Sequence, residues 1–63
     1  MSRTETNRAK VVSWLEREGW VLARHGGGHD IFRHTLQGVV AVPRHRELSS
    51  GVARSIAKAA GWL

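Results

Sequence analysis

The sequence predicts an α+β fold: a two-layer sandwich of α-β-β-β-α order, with an antiparallel three-stranded sheet and both helices on one face. Three observations predict it. A segment near each end carries apolar residues at helical spacing and stops on a glycine, Gly19 or Gly61. Three short runs of strand formers lie between them, at Trp20–Arg24, Asp30–His34 and Val39–Val42. The connections between these runs are a few residues each, and connections that short join antiparallel neighbours. The 63 residues fit one domain spanning 1–63, without repeat, linker or low-complexity tract.

The first helix is expected over Asn7–Glu18. Thr6 is the candidate N-cap, its hydroxyl accepting from an amide of the first turn. Val11, Val12, Trp14 and Leu15 make the apolar stripe, while Arg8, Lys10, Glu16, Arg17 and Glu18 decorate the solvent side. Gly26-Gly27-Gly28 reads as a loop, because three consecutive glycines lose too much backbone freedom to sit in a regular element. Thr35-Leu36-Gln37-Gly38 turns the chain, Pro43 closes the third strand for want of an N–H, and Arg44–Leu48 is a loop. Ser49 or Ser50 caps a second helix running to about Ala60, with Val52, Ile56 and Ala59 as its stripe and Ala53 and Ala60 beside it. Trp62 and Leu63 are expected to fold back over the core, and all three tryptophans (Trp14, Trp20, Trp62) to belong to it rather than to stack on bases. His29, Ile31 and Arg33 share one strand face; whether Ile31 or Phe32 points inward is left open by the pattern. The sheet face away from the helices is free for function.

Composition narrows what that function is. Hydrophobic residues make up 41% of the chain, too many for a disordered tail. The absence of cysteine excludes disulfides, iron–sulfur clusters and thiolate zinc sites. No apolar run approaches a membrane span, and the polar opening from Met1 to Asn7 has no signal-peptide pattern, so the cytoplasm is the expected compartment. Ten basic residues against five acidic ones give a net charge of +5, which points to a polyanionic partner, with nucleic acid ahead of an acidic protein. The excess sits in the second half: residues 32–63 carry five basic residues against Glu47 alone.

The stretch His25-Gly26-Gly27-Gly28-His29-Asp30 holds the most chemistry. Its glycines let backbone amides approach a phosphate when the turn forms a concave nest, or simply make a flexible hairpin loop. It matches neither the phosphate loop nor the dinucleotide fingerprint. The histidines at 25, 29, 34 and 45 lack metal-ligand spacing, so no metal and no cofactor is expected. A serine nucleophile is not supported either: Ser49 and Ser50 sit at a cap, and no buried Asp is expected to orient a histidine. Acid–base work by histidine on RNA fits better. RNA supplies its own nucleophile, the 2′-hydroxyl, and needs a base, an acid and positive charge around the phosphate.

The pattern Gly27-Gly28-His29-Asp30-Ile31-Phe32-Arg33-His34, then Val40-Ala41-Val42-Pro43-Arg44-His45, then Leu48 and the run from Gly51 to Gly61 ending Ile-x-x-x-Ala-Gly, resembles the HicA family of small prokaryotic toxins. With the opening helix and Gly19-Trp20 the likeness covers nearly the whole chain. The resemblance implies a fold like a double-stranded-RNA-binding domain, an endoribonuclease that cuts mRNA, and a HicB-like antitoxin that covers the active site in a hetero-oligomeric complex. It puts the catalytic histidine at His29. Two positions depart from the family pattern: Gly28 stands where a serine is usual, and Asp30 where a second histidine is frequent. Asp30 therefore sets a carboxylate beside His29, where it bears on the proton chemistry or repels phosphates. His45 is the candidate second proton-transfer group. Arg24, Arg33, Arg44 and Arg46, with the Gly27 and Gly28 backbone, are the expected RNA contacts. The alternative is an RNA-binding module of the same fold without catalysis, reading shape and phosphates.

Overall fold

The computed structural model describes residues 3–63. Helix α1 spans Arg8–Arg17, strands β1, β2 and β3 span Val21–His25, His29–His34 and Gly38–Pro43, and helix α2 spans Ser50–Ala60. The strands form one antiparallel sheet in the order β1-β2-β3, and with the two helices this is the arrangement of a double-stranded-RNA-binding domain.

The ends of the helices follow local chemistry. The α1 cap is Asn7, not Thr6: the Asn7 side chain accepts from the Lys10 amide at 3.0 Å. Thr6 instead donates its hydroxyl to Glu47, where a bridge between residues 7 and 47 ties the chain start to the loop before α2. Ser49 caps α2 by accepting from the Val52 amide, and Gly61 ends it at φ 82°, a left-handed conformation that glycine adopts without strain.

Both helices bury their apolar stripes against the same sheet face. Val11 and Leu15 of α1 meet Phe32, Val40 and Val42 of the sheet and Ala53, Ile56, Ala57 and Ala60 of α2. The α2 stripe is thus rotated from the expected one: Ala59 is exposed and Ala57 is buried. Trp20, Leu48 and Trp62 close the core, whereas Trp14 is half-buried at its border and Leu63 stays exposed. Trp62 lies edge-on to Trp14 and donates its Nε1 hydrogen to Glu18 at 2.8 Å; Arg3 bonds the same carboxylate and lies over both rings. Glu18 is therefore a structural acceptor rather than a free surface charge.

Strand pairing decides the two sheet faces. Directly paired residues point to the same side. Leu22, Phe32 and Val40 form one row, and Val21, Arg33 and Val39 the next. Phe32 is buried, so the core side is its side, and Ile31 lies on the other. The β1–β2 register slips at a bulge between Leu22 and Arg24, with Ala23 as the extra residue. Beyond it Arg24 pairs with Ile31, and His25 with Asp30. Without the bulge, strict alternation would have put His25 on the same face as Val21.

Candidate functional site

The open face carries three of the expected site residues together. His29, Ile31 and Arg33 follow one another along β2, and Arg24 stands directly across from Ile31. His29 and Arg33 are four residues apart, about 13 Å along a strand. Both arginines are exposed, and Val21 and Val39, 65% and 60% exposed, flank Arg33 on either side. The result is a basic strip on an apolar floor, with an imidazole at one end.

His29 opens β2, immediately after the glycine turn. Gly28 takes φ 85°, which the hairpin needs and which few other residues adopt readily. The Gly26 amide donates to the His29 carbonyl at 2.7 Å. The His29 ring packs on Gly26 so closely that a Cβ there would stand 3.3 Å from its Nε2. Gly26 is the glycine that makes room for the imidazole, and Gly27 and Gly28 leave the tip exposed.

Asp30 points the other way. Its pairing with His25 and Val42 puts its carboxylate at the end of the core face, away from the His29 side. It is the one buried charged residue among the described residues. Its Oδ2 accepts from Arg8 Nη2 at 2.6 Å, and its Oδ1 meets His25 Nδ1 at 2.7 Å and accepts from Arg44 Nε at 2.9 Å. The bond to His25 is the largest influence holding this carboxyl down to about 2; partial burial opposes it, and the bond and charge of Arg44 and the bond from Arg8 reinforce it. An ionised carboxylate only accepts, so His25 Nδ1 carries the hydrogen. The expectation that no buried Asp orients a histidine is thus wrong, and so is the expectation that the Asp30 carboxylate acts beside His29. Alternation along β2 puts neighbouring side chains on opposite faces.

Arg44 lays its guanidinium against the glycine turn and Asp30, although its side chain stays exposed. Nη2 donates to the Gly26 carbonyl at 3.0 Å and to the His29 carbonyl at 3.4 Å, while its backbone amide donates to Gly28 O at 3.0 Å. Its Nη1 makes no hydrogen bond among the described residues. Arg46 and His45 are exposed in the loop after β3. His29 pairs with Pro43, so His45 follows two residues later at the same end of the sheet. No hydrogen bond joins His45 to another site residue among the described residues.

Arg8, His25 and the inward role of Asp30 were not read from the sequence. The signal was present: once Phe32 is core, Asp30 shares its parity, and a carboxylate there requires cationic or hydrogen-bonding partners. Which partners it finds depends on the bulge.

Fold and face together define a small basic α-β-β-β-α domain with the fold of a double-stranded-RNA-binding domain and a histidine at the end of a cationic sheet surface. A family model described as the HicA toxin of bacterial toxin–antitoxin systems matches residues 8–62. The chain belongs to the HicA toxin family, which gives it the role of a toxin and implies an antitoxin partner. Comparison with curated proteins gives no match.

Proposed function

We propose that this toxin is an mRNA endoribonuclease in which His29 moves a proton during attack of the RNA 2′-hydroxyl on its own phosphate. The observation that carries this reading is the grouping of His29, Arg24 and Arg33 on the one sheet face that no helix covers. Arg24 and Arg33 hold successive phosphates of a strand laid along the face, and Arg46 extends the contact from the loop. The Gly27 and Gly28 amides lie at the exposed turn beside His29, where they can meet the scissile phosphate. Arg44 is not counted among these contacts, because its guanidinium is committed to Asp30 and to the carbonyls of the glycine turn. His45 is the proposed second proton-transfer group, since the departing 5′-oxygen needs an acid if His29 is the base. The reaction calls for no cofactor or metal, because the nucleophile belongs to the substrate. The protein would act in the cytoplasm, on mRNA.

A HicB-like antitoxin is proposed to cover the open face. Val21 and Val39 give it apolar contact, and Arg24 and Arg33 invite acidic residues whose charge speeds association. No described helix is long and apolar enough to cross a membrane.

The test is RNA cleavage in EDTA by wild type and His29→Ala, with an all-deoxy strand as control. The expected result is cleavage by wild type alone, none of the deoxy strand, and growth arrest on induction only with His29 intact. Equal cleavage by a folded His29→Ala protein removes His29 from the reaction. Tight, salt-sensitive binding with the RNA left intact establishes the non-catalytic module instead.

A further inference from the structure

We infer that Arg44, fixed by Asp30, is a positioning residue that locks the glycine turn and thereby sets the place of the His29 imidazole. This rests on the reading of His29 as the proton-transfer group.

The geometry is specific. Arg44 reaches three carbonyls of one four-residue turn: Gly26 and His29 through Nη2, and Gly28 through its backbone amide. Three adjacent glycines would otherwise leave His29 on a loose hinge, because glycine restricts backbone rotation least. A forked guanidinium fits this task, since its donors have fixed relative directions; an ammonium of equal charge does not. Asp30 holds the fork in place from the other side through Nε. Asp30 is itself held by Arg8, whose Nε donates to the Pro43 carbonyl at 2.8 Å, and by His25. The chain therefore runs from α1 through the end of β3 to the turn, and every link is a hydrogen bond. Asp30 lies on the opposite sheet face from the His29 side chain, and Arg44 touches His29 only at its carbonyl, so the assembly acts on His29 through the backbone.

A direct phosphate contact and a positioning role predict different kinetics. Arg44→Lys keeps the charge and the backbone amide but loses the fork. Asp30→Asn raises the net positive charge, which favours RNA binding, but loosens Arg44. The positioning role predicts that both variants lower kcat about 10- to 100-fold, the scale of a misplaced catalytic group. KM for RNA should stay within about twofold, and the salt dependence of binding should stay at the wild-type slope. Backbone order parameters of residues 26–29 should fall from rigid values near 0.85 to below about 0.6, while thermal melts confirm that each variant is folded. Wild-type kcat in folded Arg44→Lys, with the turn still ordered, overturns the inference. So does a loss confined to KM in Arg44→Lys, or tighter binding with full activity in Asp30→Asn, since either makes Arg44 a plain phosphate contact. If the wild-type protein cuts no RNA, it is the catalytic reading of His29 that fails; the order parameters then decide the lock by themselves.

Discussion

Asp30 keeps its charge at the rim of the core because three donors surround it, and this makes the residue an acid-sensitive point in the fold. Its carboxyl is held down to about 2 from an ordinary 3.8. The unfolded chain therefore binds a proton there before the folded one does. The stabilisation is complete above about pH 5 and is lost progressively as the pH falls from there towards 2. Urea midpoints measured across that window should drop more steeply for wild type than for Asp30→Asn, and parallel curves would contradict it. The residue also shows where sequence reading stops at this scale. His29, Arg24 and Arg33 were legible as candidate site residues because their chemical types and the glycine turn mark them. The partners of Asp30 were not, because a single-residue slip in β1 chooses between His25 and solvent. Arg44 had the type of a phosphate contact, but its surroundings turn it to backbone carbonyls, and type alone carries no such information.

Among the elements, periodicity and flanking residues located all five, with ends displaced by a residue or two. The glycines at 19 and 61 and the serine at 49 marked helix ends because each meets a backbone requirement that few residues meet. The start of α1 was displaced because Thr6 and Asn7 both suit a cap, and Thr6 is drawn off by Glu47, distant in sequence. In α2 the alanines made the stripe ambiguous: Ala53, Ala57, Ala59 and Ala60 differ in burial but not in type. The Ser49 cap gives a direct measure of local design. Ser49→Ala should lower stability by about 1 kcal/mol, the usual loss when an N-cap acceptor is removed. In a domain this small that is a sizeable fraction of the total and should show as a fall of several degrees in Tm. An unchanged melt would mean that water or Ser50 replaces the bond.

Taken whole, the molecule is a plate with a helical back and a bare front, 16 Å along its shortest axis and 30 Å along its longest. All the helical packing lies behind the sheet, so front-face residues can change with little effect on the core. One irregularity in this plate also concerns the behaviour of many copies. Strand β1 is an outer strand, exposed along its full length, with Val21 and Leu22 at its start. A flat outer strand of that kind is a template on which a second chain can zip. Ala23 puckers it, and Arg24 follows at once, so an incoming strand finds neither an even ladder nor neutral ground. Deleting Ala23 should leave Arg24 opposite Ile31 yet straighten this rim, and light scattering of concentrated protein should then rise above wild type. The kink that brings His25 to Asp30 would thus also serve as a guard against clumping.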